Sequence, residues 1–295
     1  MTKEYQAELV LDARATLGEG ALWDATDDVL WWIDIEGRLV HRYDPATGED
    51  RTTDVGQRIG TVVRRRRGGL TVALEHGLAH LDPTSGRLEL IGDPEADRPE
   101  NRFNDGKCDP AGRFWAGTMN YVHEGRPDGA LYCLDATGKI EKHLEGVAIS
   151  NGIVWTADAR TMYYADSPTR RVDAFDFDND RGALSNRRVA VELPENLGYP
   201  DGVAIDSADN VWVAVWAGWS VVCFDPRSGG MLARVNVPAA QVTACAFGGP
   251  DLRHLYITTA RKGLDGAALA EQPNAGGVFR VRVDTPGVAA VEYAG

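Results

Sequence analysis

A short strand-like core recurs six times along the chain: Leu30-Trp31-Trp32, Leu70-Thr71-Val72, Phe114-Trp115-Ala116, Met162-Tyr163-Tyr164, Val211-Trp212-Val213 and Leu255-Tyr256-Ile257. Its central residues are separated by 40, 44, 48, 49 and 44 positions. That period matches a four-stranded sheet repeated around an axis. Two stacked sheets or a jelly roll would give no such near-equal spacing. Between the cores stand turn clusters such as Asp44-Pro45-Ala46-Thr47-Gly48, Asp82-Pro83-Thr84-Ser85-Gly86, Asp135-Ala136-Thr137-Gly138 and Asp225-Pro226-Arg227-Ser228-Gly229. In these, Pro presets φ, Asp bonds its own backbone and Gly supplies positive φ. Helical periodicity is confined to a short stretch near Ala267–Glu271. The expectation is all-β: a six-bladed β-propeller with four-stranded blades around a central, metal-containing channel, formed as one domain over residues 1–295.

A second register runs with the first. A small residue precedes each core at Gly20, Gly60, Gly106, Gly152, Gly202 and Ala244. Small residues at one repeated position predict crowded backbone where strands converge on an axis. The residues just before them are Glu19, Ile59, Asp105, Asn151, Asp201 and Thr243, with Asn104 one position further back. Glu19, Asn104, Asp105, Asn151 and Asp201 are therefore expected to point into one small volume. Three carboxylates crowded together would repel and desolvate at considerable cost, and a divalent cation is the least costly way to keep them ionised. An all-oxygen donor set suits Ca²⁺, Mg²⁺ or Mn²⁺. No His pair has metalloprotease spacing and no Cys–His cluster exists, so a zinc site with soft ligands is not expected, while Fe²⁺ or Zn²⁺ on oxygen donors stays open.

With 31 Lys plus Arg against 44 Asp plus Glu, the net charge of −13 argues against nucleic-acid partners and against an anionic membrane surface. No apolar run approaches the roughly 20 residues of a membrane span, and the first 15 residues lack the apolar core of a signal peptide. Four unpaired-looking cysteines, Cys108, Cys133, Cys223 and Cys245, are expected to be buried reduced thiols. These features predict a cytoplasmic protein, a monomer with no nucleic-acid or membrane partner.

The segments Leu17-Gly18-Glu19-Gly20, Asn101-Arg102-Phe103-Asn104-Asp105-Gly106, Ser150-Asn151-Gly152 and Tyr199-Pro200-Asp201-Gly202 together resemble the senescence marker protein/gluconolactonase family, which includes regucalcin and bacterial sugar lactonases. The stretches Thr259–Leu264 and Ala275–Phe279 look like the bacterial sugar-lactonase branch. The resemblance implies a six-bladed propeller holding one divalent metal, calcium first among the candidates. It implies Glu19, Asn151 and Asp201 as metal ligands, with Arg102 and Asn104 binding substrate hydroxyls. The implied activity is metal-dependent hydrolysis of a small sugar (aldono-) lactone, such as a glucono-, xylono- or arabinono-lactone, to the aldonic acid. Asp201 would be the catalytic base, and Asp105 would support the ligand set from behind. A regucalcin-like regulatory metal binder and an organophosphate or ester hydrolase are the competing readings. Two departures stand out. Ala21 replaces a common proline. Gly117-Thr118-Met119 is followed by Asn120-Tyr121-Val122-His123-Glu124, so a family substrate contact is lost, shifted to Glu124 or replaced by Asn120.

Three further features carry weaker expectations. Arg64–Arg67 reads as a solvated hairpin, the Trp216-Ala217-Gly218-Trp219 segment as pocket lining or blade packing, and His123 as a candidate for the pocket mouth.

Overall fold

The computed structural model describes residues 2–295. Six antiparallel sheets stand around a common axis, and each contributes one inner strand: Gly18–Asp24, Ile59–Arg64, Asn101–Cys108, Ser150–Trp155, Tyr199–Ile205 and Val242–Gly248. Successive inner strands contact one another in sequence order, and the sixth contacts the first. The fold is the six-bladed β-propeller that the repeats predict. Blades are numbered here in that order.

The ring is closed by the chain's own N-terminal segment. Glu8–Leu11 pairs antiparallel with Val278–Arg282 and becomes the outermost strand of the sixth blade. Lys3–Gln6 adds to the fifth blade in parallel with Gly230–Asn236, so that blade has five strands. The helix expected near Ala267 is present as Gly266–Glu271, with Asp265 capping it through Ala268 N.

The recurrent tryptophans have a structural cause. At the hairpin after the inner strand, Asp24, Asp109 and Asp206 each accept backbone N–H groups of the turn and the indole N–H of the next strand's Trp. Those Trp–Asp distances are 3.3 Å for Trp31, 2.9 Å for Trp115 and 3.0 Å for Trp212. Each buried carboxylate is thereby satisfied, and a large ring is locked between sheets.

The chain after the sixth blade crosses the end of the channel where those hairpins lie. Val288 N bonds Ile205 O, Tyr293 N bonds Arg64 O, and Ala294 N bonds Gly112 O. The arginine run takes part here. Arg64 pairs with Asp24 and Glu292, and Arg65 Nε donates to Gly295 O at 2.8 Å. The run is thus half a solvated hairpin and half a clasp for the C-terminal segment.

Candidate active site at the channel mouth

All six inner strands lose register at one level. In the third, fourth and fifth blades two residues oppose one: Asn104 and Asp105 between Phe103 and Gly106, Asn151 and Gly152 between Ser150 and Ile153, Asp201 and Gly202 between Pro200 and Val203. The first strand breaks just after Glu19, the second at Gly60 and the sixth at Thr243. A β-bulge bends its strand and re-aims a side chain. Six such breaks stand on one level, one in each inner strand, and carry the polar residues of the repeats. Gly60 shows how close the strands come, since a Cβ there would lie 2.4 Å from the carbonyl oxygens of Phe103 and Asn104.

The polar side chains that the repeats single out meet in this ring, and Glu19, Arg102, Asn104, Asp105, Asn151 and Asp201 are all buried. Asn104 Nδ2 donates to Ser150 O at 2.7 Å and to Asn151 Oδ1 at 3.0 Å. Arg102 donates from one guanidinium nitrogen to Phe103 O (2.9 Å) and Asn104 Oδ1 (2.6 Å), and its Nε has no partner. The bulges make Asn104, rather than Asp105, the counterpart of Asn151 and Asp201. Asp105 accepts from Gly106 N at 2.7 Å and leaves Oδ2 unpaired.

Glu19 and Asp201 are buried in the ring close enough for each carboxyl to shift the titration of the other. Burial, reinforced by the nearby Asp105 charge, pushes Glu19 up to about 8. Burial and then Glu19 push Asp201 well above the usual carboxylate range. Two buried carboxyls at this distance share a proton rather than both ionise. Asp201 Oδ1 is buried without a hydrogen-bond partner. Burial lowers the Arg102 pKa, opposed by the carboxylates of Glu36, Glu19 and Glu124.

Sequence reasoning missed Ser167. Its hydroxyl accepts from Asn151 Nδ2 at 2.7 Å and donates to Pro200 O at 2.6 Å, joining the fourth blade to the residue beside Asp201. Only the Asp166-Ser167-Pro168 turn signal marks it in the sequence. Asn120 lies in the same blade as Arg102 but is committed elsewhere. Its Oδ1 accepts from Val122 N and His123 N, and its Nδ2 donates to Glu100 and Asp128, so it shapes the 121–128 connection. Trp216 packs half-buried against the first- and second-blade core, and Trp219 is exposed on the rim. The four cysteines are buried free thiols.

The donor set is hard oxygen: the carboxylates of Glu19 and Asp201, the latter with one orphaned oxygen, and the Asn151 amide carbonyl. A divalent cation would satisfy that orphan and replace the shared proton, so these residues fit one. Among the described residues no three His, Cys, Asp or Glu side chains cluster as a metal site by themselves, so a cation here would also need the Asn151 amide oxygen.

This is a six-bladed propeller with a buried, oxygen-lined polar site among its inner strands. Residues 17–261 match the family described as SMP-30/Gluconolactonase/LRE-like region, and the chain belongs to that family. It is 37% identical to regucalcin of Xenopus laevis, covering 98% of each chain. It is 38% identical to a Bacillus subtilis protein provisionally named sugar lactone lactonase YvrE, covering 98% of this chain and 99% of that one. Among solved structures it superposes with TM-score 0.94 on a calcium-binding protein, regucalcin, from Agrobacterium tumefaciens, at 28% identity and 99% coverage of both chains.

Proposed function

We propose that this protein hydrolyses a small sugar lactone to its aldonic acid, with one divalent cation, calcium foremost, held by Glu19, Asn151 and Asp201. The observation that carries the reading is the unpartnered Asp201 Oδ1, buried beside Glu19 and within one ring of Arg102 and Asn104. The relatives support it: one is provisionally named a sugar lactone lactonase and another is described as calcium-binding. When bound, the cation supplies Lewis-acid stabilisation of the oxyanion that develops on the lactone carbonyl.

The protein's own groups do the rest. The Arg102 guanidinium, a rigid fork of donors with Nε free, binds lactone hydroxyls and fixes the ring's orientation. Asn104 is held by Ser150 and Asn151 and presents its amide edge beside it. Asp201, through the carboxylate oxygen that the cation would leave free, accepts a proton from the water that attacks the carbonyl carbon. That proton returns to the ring oxygen as the carbonyl carbon–ring oxygen bond breaks, leaving a hydroxy acid. Asp105 backs the ring without touching substrate. Asn120 acts at one remove, through the loop that it folds.

The test is proton release from a panel of aldonolactones, read with a pH indicator, with the cation present and after chelation. Turnover of at least one aldonolactone that disappears on chelation and returns with added cation is expected. A cation-loaded protein inert toward every lactone would overturn the reading and leave a binding role.

A further inference from the structure

The mouth of the channel is crossed by an ion pair between opposite blades. Lys262 Nζ lies 2.5 Å from Glu124 Oε1. Glu124 belongs to the 121–128 connection of the third blade, and Lys262 to the 260–277 connection of the sixth. In a ring of six these blades stand across the axis from each other, so a bond between them passes over the channel. Both connections leave their strands, after Asn120 and Thr259, at the end of the blades where the inner strands begin, which is the end that carries the polar ring.

Both anchors of this bridge are fixed. Lys262 N donates to Thr16 O at 2.8 Å, and Lys262 O accepts from Gln241 Nε2 at 2.8 Å, tying that backbone to the first blade and to its own blade. On the other side, Asn120 Oδ1 caps Val122 N and His123 N, and the Arg58 guanidinium lies 4.7 Å over the Tyr121 ring. Arg58 is itself held by Glu36 at 2.9 Å. The moving parts are therefore two side chains. They are 34% and 47% exposed, and an ion pair in that setting is weak enough to break and re-form readily.

We propose that Glu124 and Lys262 form a latch across the channel mouth that determines substrate size, admitting a single small polyhydroxylated ring and holding back lactones that carry a bulky apolar group. The inference rests on the lactone-hydrolase reading above, and it adds residues from opposite blades that select the substrate without taking part in bond breaking.

Two variants test it, Lys262→Met and Glu124→Gln, each read in two ways. The first readout is the ratio of kcat/KM for a bulky lactone, such as dihydrocoumarin or a long-chain acyl-homoserine lactone, to that for the preferred aldonolactone. The second is independent of turnover: the rate at which phenylglyoxal modifies Arg102, measured by peptide mass mapping. Loss of one exposed ion pair should raise both by about three- to fivefold, and 1 M salt should do the same to the wild type but not to the variants. The two ideas fail separately. If wild type turns over no lactone while Arg102 labelling accelerates in both variants, the hydrolase reading falls and the latch stands as a barrier. If aldonolactones are hydrolysed but neither readout moves in either variant, the latch is overturned.

Discussion

Asn104 of the third blade donates a hydrogen bond to the Asn151 side-chain carbonyl of the fourth, at 3.0 Å, and Asn151 in turn donates to Ser167. The amide is thereby held with its oxygen toward the ring before any ligand arrives. Such pre-orientation avoids reorganisation when charge develops in the site.

Ser167 is accordingly expected to matter without touching substrate. Ser167→Ala removes the acceptor of Asn151 Nδ2 and the donor to Pro200 O. Loss of an outer-layer partner of this kind costs about 10- to 100-fold in metal affinity. Calorimetric titration of the divalent cation should show that loss, with KM for lactone little changed at saturating cation. Unaltered cation affinity would remove Ser167 from the site's support.

Asp201→Asn keeps the shape of the side chain but removes a charge and a proton acceptor. Turnover should fall by about 10²–10⁴-fold even in protein loaded at high cation concentration. Thermal stability of the ion-free variant should hold or rise, because one of two buried carboxyls that share a proton is gone. Near-normal turnover with cation bound would exclude Asp201 as the base.

Arg102 is 3% exposed, and its Nε lacks a partner. Losing a charge-assisted hydrogen bond to substrate is worth about 1.5–3 kcal/mol, so Arg102→Ala should lower kcat/KM by roughly 10- to 150-fold. It should also blunt discrimination between lactones that differ in one hydroxyl, with cation affinity almost unchanged. A destabilised protein with normal kinetics would instead mean that the guanidinium serves only to brace Phe103 and Asn104.

The ion-free protein should lose stability with rising pH. Glu19 is raised from an ordinary 4.5 to about 8, so the folded chain holds a proton that the unfolded chain has released. This contribution is fully present below about pH 4.5 and is lost as pH rises through about 8. The melting temperature of chelated protein should fall between pH 5 and 8, and saturating cation should flatten that slope. Cation binding near pH 7 should release a proton, measurable as a buffer-dependent heat. A chelated protein that grows more stable over this interval would contradict the shared-proton arrangement.

The blade period and the small-residue register were legible because both recur once per blade, and Gly60 and Gly152 sit where a Cβ would strike a neighbouring strand. The meeting of Glu19, Asn151 and Asp201 followed from that periodicity. What periodicity could not reveal was the bulge. Counting back from the small residue places Asp105 in line with Asn151, whereas the two-against-one pairing of the third inner strand shifts Asn104 into that place. Ser167 and the Glu124–Lys262 pair were invisible for another reason. They lie in connections, where no repeat fixes position and contacts are made between distant blades. Asn120 reads as a pocket residue in the sequence because nothing there tells which way a loop-flanking amide will turn. In the structure the free N–H groups of the loop capture it.

The stitching of Glu8–Leu11 onto Val278–Arg282 has a bearing on how the chain is made. Glu8–Leu11 pairs with a strand far along the chain, so five blades can gather locally while the sixth waits for Val278–Arg282 to be made. Until then a completed inner wall has two open sheet edges and no seal. Closure depends on a contact between residues some 270 positions apart, which makes it the slowest step of assembly on topological grounds. A nascent chain stalled before Val278 would carry Glu8–Leu11 as an unpaired strand, available for pairing with a neighbouring chain.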